Sequence, residues 1–297
     1  MNFSVIITSF NSQKTITQAI QSAKSLIPKP FEIIVIDDAS VDNTLMKIKD
    51  ELKDFEGGHI ISNKENMGQS FNRNCGVKTS KSDYIIFMDD DDISLPQRAG
   101  LHLSAFASGA DISYVSSVKI YENGYSRKYI NEEFRSRSQS KIDLIRQVLV
   151  GSGIKKNLYS PSSTLAVKKH IFLGINGFDV SMRRLEDIDI YIRMIENDCI
   201  VHWTKDIGVH RFFSYNVNKS NLKNQEAEKV LVHRYKKYLS NRQYYIANKS
   251  MHIRMCYFDR NIFGLLKLLP ALIIIFIFAP QKLFSLINRL VHDFHQR

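Results

Sequence analysis

The chain has 297 residues, of which 44% are hydrophobic and 24% are charged, and its formal net charge is +11. This composition excludes a largely disordered protein, and the length suffices for one large α/β domain with an appendage. Three scattered cysteines without a CxxC pair exclude a disulfide framework and a zinc site, and they favour a reducing, cytosolic compartment. The positive charge indicates an anionic partner, whether nucleic acid, acidic lipid or a phosphorylated substrate.

The first ninety residues alternate between predicted strands and predicted helices. The predicted elements are strands at 3–8, 31–38 and 84–92 and helices at 12–26, 42–52 and 70–77. The strands are β-branched and continuously apolar, as in buried parallel sheets, and the first one does not resemble a signal peptide. This order predicts a doubly wound α/β sheet. Such sheets bind ligands at the carboxyl ends of their strands, where this chain places polar and acidic residues.

The pattern is weaker in the following hundred residues. The predicted elements are a strand at 112–120, a mobile loop at 131–140, a strand at 160–167, a turn at 174–178 and a helix at 187–195. From about residue 219 the composition becomes that of a basic helix, and near the end it becomes strongly apolar.

Four consecutive carboxylates, at residues 89–92, follow the third predicted strand. Carboxylates held together at a strand end repel one another unless a cation compensates them. Mg²⁺ and Mn²⁺ prefer carboxylate oxygen and keep positions open for phosphate oxygens. The run therefore predicts a divalent metal site, and a solvated acidic turn is the alternative.

A second acidic strand end is formed by Asp37 and Asp38. Asp38 is a candidate to accept a hydrogen bond from a base N–H or to hold a ribose hydroxyl. Helix capping is the alternative role for Asp37.

An ordered set of motifs resembles the signature of family 2 glycosyltransferases over roughly residues 1–215. Its parts are Val5-Ile6-Ile7-Thr8-Ser9-Phe10-Asn11, Glu32-Ile33-Ile34-Val35-Ile36-Asp37-Asp38, Asn66-Met67-Gly68 with Arg73-Asn74, Phe87-Met88-Asp89-Asp90-Asp91-Asp92, Gly177-Phe178-Asp179, and Glu186-Asp187-Ile188-Asp189 with Arg193. Each part alone is weak, whereas the ordered set is specific.

The resemblance implies a GT-A-like fold, a Rossmann-like mixed sheet flanked by helices, that transfers a sugar with inversion from a nucleotide-diphospho-sugar. UDP is the favoured nucleotide, Mn²⁺ or Mg²⁺ the cofactor, and a hydroxyl of a glycan or lipid-linked saccharide the acceptor, in cell-surface polysaccharide synthesis. Asp89 and Asp91 match the metal ligands, and Asp187 matches the base that deprotonates the acceptor. The residues implied to bind the donor are Thr8, Phe10 and Asn11 in the nucleotide pocket, Asp38 at the base or ribose, Arg73 near the diphosphate, Asp90, and Asp92 beside the donor sugar.

The sequence departs from the family pattern at residues 210–214, where the family often has a histidine or an arginine-histidine pair. Here His210 precedes Arg211. Two alternatives follow: either His210 is a further metal ligand in a shifted register, or the protein supplies no third ligand there.

The domain organisation predicted from these features is a GT-A-like catalytic domain at 1–218 and a basic helical appendage at 219–297. Leu265–Ala279 is apolar but shorter than the roughly 20 residues of a membrane span, and it is interrupted by Lys267 and Pro270. With the basic residues of 254–297 it predicts peripheral contact with the anionic inner face of the cytoplasmic membrane. Packing against the catalytic domain or in a homodimer interface is the alternative.

Two other classes of function account for some of these sequence features. A metal-dependent nucleotidyltransferase or phosphohydrolase also uses carboxylates at strand ends, but the connection at residues 9–14 contains no glycine for a phosphate loop. A non-catalytic membrane or nucleic-acid binder would account for the charge. No nucleic-acid-binding motif occurs, so nucleic acid is not expected as a partner.

Overall fold

The computed structural model describes residues 1–131, 134–135, 140–150, 161–213, 221–258 and 268–278. The strands are β1 (Phe3–Ser9), β2 (Glu32–Asp37), β3 (Gly58–Ser62), β4 (Tyr84–Asp89), β5 (Asp92–Ser94), β6 (Ile112–Tyr121), β7 (Ser126–Tyr129), β8 (Phe134–Arg135), β9 (Leu165–Lys168) and β10 (Val201–Phe213). The helices are α1 (Ile16–Lys24), α2 (Thr44–Leu52), α3 (Gln69–Thr79), α4 (Arg98–Ala107), α5 (Lys141–Val150), α6 (Lys169–Gly174), α7 (Glu186–Glu196), α8 (Asn221–Arg234), α9 (Asn241–Phe258) and α10 (Leu269–Phe278).

The chain divides into two compact units, Met1–Lys141 with Lys155–Val217 and Ile142–Ile154 with Asn218–Arg297. The second unit thus includes a segment of the middle of the chain as well as the C-terminal residues. The boundary at 218/219 drawn from composition stays a prediction.

One mixed sheet contains all the strands of the described residues. Its order is β3-β2-β1-β4-β9-β6-β10-β5, with β7 paired to β6 and β8 paired to β10. The first four of these strands are mutually parallel, whereas β9 is antiparallel to β4 and β6, and β5 is antiparallel to β10. β1 and β2 are buried along their whole length, as their continuous apolar sequences predict. The mixed α/β architecture expected from the sequence is confirmed.

Helices cover both faces of the parallel half of the sheet, because alternate side chains of a strand point to opposite faces. Val5, Ile7 and Val35 belong to the core cluster that also contains the apolar residues of α1, α2 and α4. Ile6 and Ile36 contact α3 on the other face, where a Cβ on Gly76 would lie 2.6 Å from Ile6 Cγ2. The close approach that Gly76 permits holds α3 against the sheet.

Two expectations from the sequence are corrected here. The strand expected at 84–92 is two strands, because β4 ends at Asp89, residues 90–91 form a turn, and β5 begins at Asp92. The loop expected at 131–140 contains β8, which pairs antiparallel with β10; residues 132–133 and 136–139 lie outside the described residues.

The described part of the second unit is helical. Arg146 of α5 donates through Nε to the carbonyl oxygen of Tyr238 at 2.6 Å. In α10, Ala271 and Ile275 are buried, while Ile273 and Ile277 are 61% and 60% exposed. Across the described residues, no helix has the combination of length and apolarity that a membrane span requires. Of the apolar stretch 265–279, residues 265–267 and 279 lie outside the described residues. Of the predicted membrane-contact segment 254–297, residues 259–267 and 279–297 do.

Candidate active site

The carboxyl ends of three parallel strands meet at one edge of the sheet. In the register of the sheet, Thr8 of β1 lies opposite Asp89 of β4, and Ser9 of β1 lies opposite Asp37 of β2. Strands β1, β2 and β4 therefore bring their polar ends together. This is the edge at which doubly wound sheets bind ligands.

A turn between β4 and β5 places three carboxylates in one cluster. One oxygen from each of Asp89, Asp91 and Asp92 lies within 4.8 Å of the others. Asp92 is buried, Asp89 is partly buried and Asp91 is exposed. We call these three residues the carboxylate cluster.

Asp92 is the most strongly perturbed member of the carboxylate cluster. Burial raises its pKa well above the ordinary value, and the negative charges of Asp89 and Asp91 raise it further. Its Oδ2 atom is buried and accepts no hydrogen bond from the described residues. Arg211 Nε lies 3.9 Å from the same oxygen. Burial and mutual repulsion therefore oppose ionisation of all three carboxylates at once.

Arg98 forms hydrogen bonds to both strands that flank the acidic turn. Its side chain is fully buried, donating from Nη2 to the carbonyl oxygen of Phe87 at 2.7 Å and from Nη1 to Ser94 Oγ at 2.9 Å. Burial lowers the pKa of Arg98 to about 10, although the charges of Asp92 and Asp89 act in the opposite direction. The guanidinium therefore remains charged at neutral pH and offsets part of the repulsion in the cluster.

His102 completes the buried support behind this turn. Its Nε2 lies 3.4 Å from Arg98 Nε and its Nδ1 lies 3.0 Å from Ser113 Oγ. Burial, followed by the charge of Arg98, lowers the pKa of His102 well below its ordinary value. The neutral ring thus accepts a hydrogen bond from the arginine through Nε2.

Arg73 joins the carboxylate cluster to α7. It is almost fully buried on α3, and it donates from Nη2 to Asp89 Oδ1 at 2.8 Å and from Nη1 to Glu186 Oε1 at 3.0 Å. Burial alone would lower the pKa of Arg73, but the two carboxylates raise it. The guanidinium also lies over the ring of Phe178, 5.3 Å from its centroid. One buried cation thus holds two acidic segments that are distant in the sequence.

A pair of amide hydrogen bonds fixes α3 against the Gly177-Phe178 segment. Asn74 Nδ2 donates to the carbonyl oxygen of Phe178 at 2.8 Å, and Asn74 Oδ1 accepts from the Phe178 N–H at 2.8 Å. Gly177 has a φ of +59°, and a Cβ there would lie 2.5 Å from Asn74 Oδ1. Glycine is required at this position by both conformation and space.

The first turn of α7 contains three acidic residues with different surroundings. Glu186 binds Arg73, and Asp189 is fully buried and forms an ion pair with Arg193 at 2.8 Å. Asp187 is only partly buried, and its Oδ1 accepts from the N–H of Ile188 at 2.9 Å. The structure therefore gives Glu186 and Asp189 positioning contacts and places Asp187 beside them.

Four of the residues implied to bind the donor come from β1, the loop after it and the acidic turn, and they lie around that loop. Phe10 is 48% exposed and donates from its N–H to Asp90 Oδ2 at 3.0 Å. Asn11 accepts from the N–H of Val41 through Oδ1 at 3.0 Å. Thr8 Oγ1 is buried without a hydrogen-bond partner among the described residues. Burial raises the pKa of Asp90 to about 6, despite the hydrogen bond from Phe10.

Asp38 organises the segment that precedes α3. Its Oδ1 accepts from Asn63 Nδ2 at 2.9 Å and from the Met67 N–H at 2.8 Å, and its Oδ2 accepts from the Gly68 N–H at 2.9 Å. Burial would raise the pKa of Asp38, but these hydrogen bonds lower it. The carboxylate is therefore held ionised at the end of β2.

His210 does not join the carboxylate cluster among the residues that the structure describes. In β10 it lies opposite Ile93, whereas Arg211 lies opposite Asp92. Because neighbouring side chains of a strand point to opposite faces, Arg211 and not His210 is directed to the acidic turn. Sequence reasoning missed Arg211 and Arg98. The alternation along β10 would have indicated Arg211 if its register with β5 had been known.

The family model described as glycosyl transferase family 2 matches residues 4–158, more than half of the chain. The chain belongs to glycosyl transferase family 2. An uncharacterized glycosyltransferase of Haemophilus influenzae is 24% identical over 196 residues, which are 65% of this chain and 62% of the relative.

A second relative in the family is the UDP-Glc:alpha-D-GlcNAc-diphosphoundecaprenol beta-1,3-glucosyltransferase WfaP of Escherichia coli. It is 33% identical over 136 residues, 44% of this chain and 47% of WfaP. The matched segments thus span about half to three-fifths of the length of these relatives. The crystal structure of S. aureus TarS 1-349 in complex with UDP-GlcNAc has a TM-score of 0.63 at 16% identity, covering 100% of this chain and 92% of that one. This likeness confirms the GT-A-like fold.

Proposed function

We propose that the chain is a metal-dependent inverting glycosyltransferase. It moves a sugar from a nucleotide-diphospho-sugar, with UDP favoured, to a hydroxyl of a glycan or lipid-linked acceptor in cell-surface polysaccharide synthesis. The observation that carries the proposal is the carboxylate cluster of Asp89, Asp91 and Asp92, whose oxygens lie within 4.8 Å at the carboxyl edge of the parallel strands. Family membership and a fold shared with a structure that contains UDP-GlcNAc support it.

The residues present suit a hard divalent cation. Three carboxylates converge, and the buried Asp92 Oδ2 accepts no hydrogen bond among the described residues, so a cation would relieve both the repulsion and the missing contact. Asp91, which is exposed, and Asp89 are the proposed ligands, with Asp92 completing the set; His210 is omitted from it. Mn²⁺ or Mg²⁺ supplies a Lewis acid that stabilises the negative charge developing on the departing diphosphate.

The donor is proposed to lie along the edge formed by β1, β2 and the acidic turn. Thr8, Phe10 and Asn11 would contact the nucleoside, and Asp38 would accept from the base or ribose. Arg73 would face the diphosphate. Support for this placement is that Thr8 Oγ1 is buried without a partner among the described residues and that the Phe10 ring is exposed. Asp90 would act through its hydrogen bond to the Phe10 N–H, which fixes the loop.

The proposed base is Asp187. A sugar hydroxyl is a poor nucleophile, so a carboxylate that takes its proton assists the attack. The acceptor oxygen then bonds to the anomeric carbon, the bond from that carbon to the diphosphate oxygen breaks, and the nucleoside diphosphate leaves with the electron pair. Attack from the face opposite the leaving group inverts the anomeric centre, and no covalent enzyme intermediate is needed.

The setting of the reaction is also a proposal. A lipid-linked acceptor presents its hydroxyl at the inner face of the cytoplasmic membrane, and the basic, apolar segment 254–297 is proposed to bring the protein there. Helix α10 supports this in one respect, since Ile273 and Ile277 are exposed while Ala271 and Ile275 are buried. A homodimer through the same helix is the alternative use of that exposed surface.

The proposal is tested by transfer from a panel of UDP-, GDP- and TDP-sugars to a synthetic lipid-linked saccharide, with Mn²⁺ or with EDTA. We expect one nucleotide class to support transfer, only with the metal, and we expect proton NMR of the product to show the opposite anomeric configuration to the donor. Release of nucleoside diphosphate that is identical with EDTA, or retention of configuration, would overturn the mechanism.

The role of Asp187 is tested with a matched neighbour. For Asp187→Asn we expect a fall of about 10²–10⁴ in kcat with donor affinity unchanged, as for loss of a general base. For Asp189→Asn we expect a lower melting temperature, because that carboxylate is buried with Arg193. Equal kcat in Asp187→Asn and the wild type would remove Asp187 from the mechanism.

A further inference from the structure

The positive charge of the chain lies almost entirely in its C-terminal part. Residues 219–297 contain fourteen Lys or Arg and four Asp or Glu, so they carry +10 of the net charge of +11. Residues 1–218, which contain the family motifs, are close to neutral. The anionic partner that the charge predicts is therefore a partner of the second unit.

A groove of about 450 Å³, lined by residues with polar or charged groups, lies between α8 and α9 within this unit. It is lined by Lys229 and His233 of α8 and by Asn241, Tyr244, Asn248 and Lys249 of α9, together with Tyr245. We call it the α8–α9 groove.

The lining follows one face of each helix. Lys229 and His233 are four residues apart, and Asn241, Tyr244 and Asn248 follow at spacings of three and four. A face that only packed two helices together would be apolar at these positions. In α9 the packing role belongs instead to Ile246 and Ala247, which are buried. The lining residues are thus distinct from the buried apolar residues of α9.

The chemistry of the groove is that of an anion site. None of the lining residues is acidic, two are lysines, and the amides and phenols can donate hydrogen bonds. His233 Nδ1 lies 3.3 Å from the Tyr244 hydroxyl, which orients both groups across the groove. Lys249 Nζ lies 5.6 Å from the centroid of the Tyr245 ring. Phosphate is the anion whose several oxygens match such a set of donors.

We propose that the α8–α9 groove is a phosphate-binding site, with Lys229 and Lys249 as its charged contacts and the amides of Asn241 and Asn248 as further donors. The phosphate belongs either to a lipid headgroup or to a soluble phosphate ester. This site is independent of the carboxylate cluster, which belongs to the other unit.

Calorimetry with inorganic pyrophosphate in EDTA and at low ionic strength tests the proposal on the full chain. The variants are Lys229→Gln/Lys249→Gln and the control Lys236→Gln/Lys237→Gln, which removes the same charge from two exposed residues outside the lining. We expect at least tenfold weaker binding for the first variant, less than twofold change for the control, and wild-type affinity for Lys229→Arg/Lys249→Arg. Equal affinities in both glutamine variants, or no binding by the wild type at millimolar pyrophosphate, would overturn the proposal.

Vesicles distinguish the two sources of phosphate. Phosphatidylcholine vesicles with and without phosphatidylglycerol are sedimented with the same proteins. If the groove binds a lipid headgroup, sedimentation with the anionic vesicles falls further in Lys229→Gln/Lys249→Gln than in the control. If the two glutamine variants sediment equally while only the first loses pyrophosphate, the ligand is a soluble phosphate ester. Binding of UDP with Mn²⁺, which the groove variants leave unchanged, reports separately on the donor site.

Discussion

Arg73 Nη2 donates a hydrogen bond to Asp89 Oδ1 at 2.8 Å, while Nη1 of the same guanidinium donates to Glu186 Oε1 at 3.0 Å. The arginine is on α3, and the two carboxylates end β4 and begin α7. Three segments far apart in the sequence are therefore fixed by one buried cation. This contact sets the position of Asp187, the residue after Glu186, relative to the carboxylate cluster.

Loss of this contact is predicted to destabilise the fold. Arg73→Met leaves two partly buried carboxylates without their cation, and removing one partner of such a buried pair costs about 3–5 kcal/mol. Arg73→Lys keeps the charge but lacks the forked guanidinium that donates to both carboxylates, so we expect a smaller loss of stability. Urea unfolding measures both. The exposed Arg127→Met is the control, with an expected change of less than about 0.5 kcal/mol. Equal stabilities of Arg73→Met and Arg127→Met would contradict the structure.

Gly177→Ala is predicted to loosen the attachment of α3. The backbone there has a φ of +59°, which costs a residue with a Cβ roughly 1–2 kcal/mol, and the added atom would lie 2.5 Å from Asn74 Oδ1. We expect a lower melting temperature and weaker donor binding, because Arg73 is one residue from Asn74. Gly174→Ala is the matched control, since a Cβ there meets nothing within 4 Å. Equal melting temperatures of Gly177→Ala and Gly174→Ala would contradict the prediction.

The pKa values of two aspartates predict opposite dependences of stability on pH. Burial raises the pKa of Asp90 from 3.8 to about 6, so ionisation destabilises the metal-free fold as pH rises between those values, by about 3 kcal/mol at most. In EDTA, the stability of Asp90→Asn relative to the wild type should therefore increase from pH 4 to 6 and then level off.

Asp38 provides the contrasting case. Its pKa is lowered below 3.8, so its contribution to stability is present above that value and is lost as pH falls through the lower folded pKa. The stability of Asp38→Asn relative to the wild type should thus decrease as pH rises. Thermal unfolding across pH 2.5–7 measures both variants. The same sign of change in the two variants would contradict the assigned environments.

The sequence was sufficient to predict the parallel half of the sheet and its acidic edge. Continuous β-branched runs predicted β1, β2 and β4, and the carboxylates at 89–92 predicted where a cation would be needed. The ordered motifs predicted the family. Each of these features is local in the sequence or depends only on the order of motifs.

Features that depend on long-range register could not be predicted. Arg211 faces Asp92 because β10 pairs antiparallel with β5, and nothing local to either strand specifies that pairing. In the sequence Arg98 has no feature that distinguishes it from other helical residues. Its role depends on the hydrogen bond from its guanidinium to the carbonyl oxygen of Phe87. The division of the acidic run into two strands likewise depends on β5 leaving β4 to pair with β10. The α8–α9 groove required two helices to be placed side by side.

The central claim is that the carboxylate cluster holds a divalent cation to which the nucleoside diphosphate binds. The most direct measurement is calorimetry of UDP binding with Mn²⁺ and with EDTA for the wild type, Asp91→Asn and the exposed control Asp54→Asn. We predict that Mn²⁺ strengthens UDP binding at least tenfold in the wild type and in Asp54→Asn, and that Asp91→Asn abolishes this effect. UDP binding of equal strength with Mn²⁺ and with EDTA, or a metal effect that persists in Asp91→Asn, would contradict the claim.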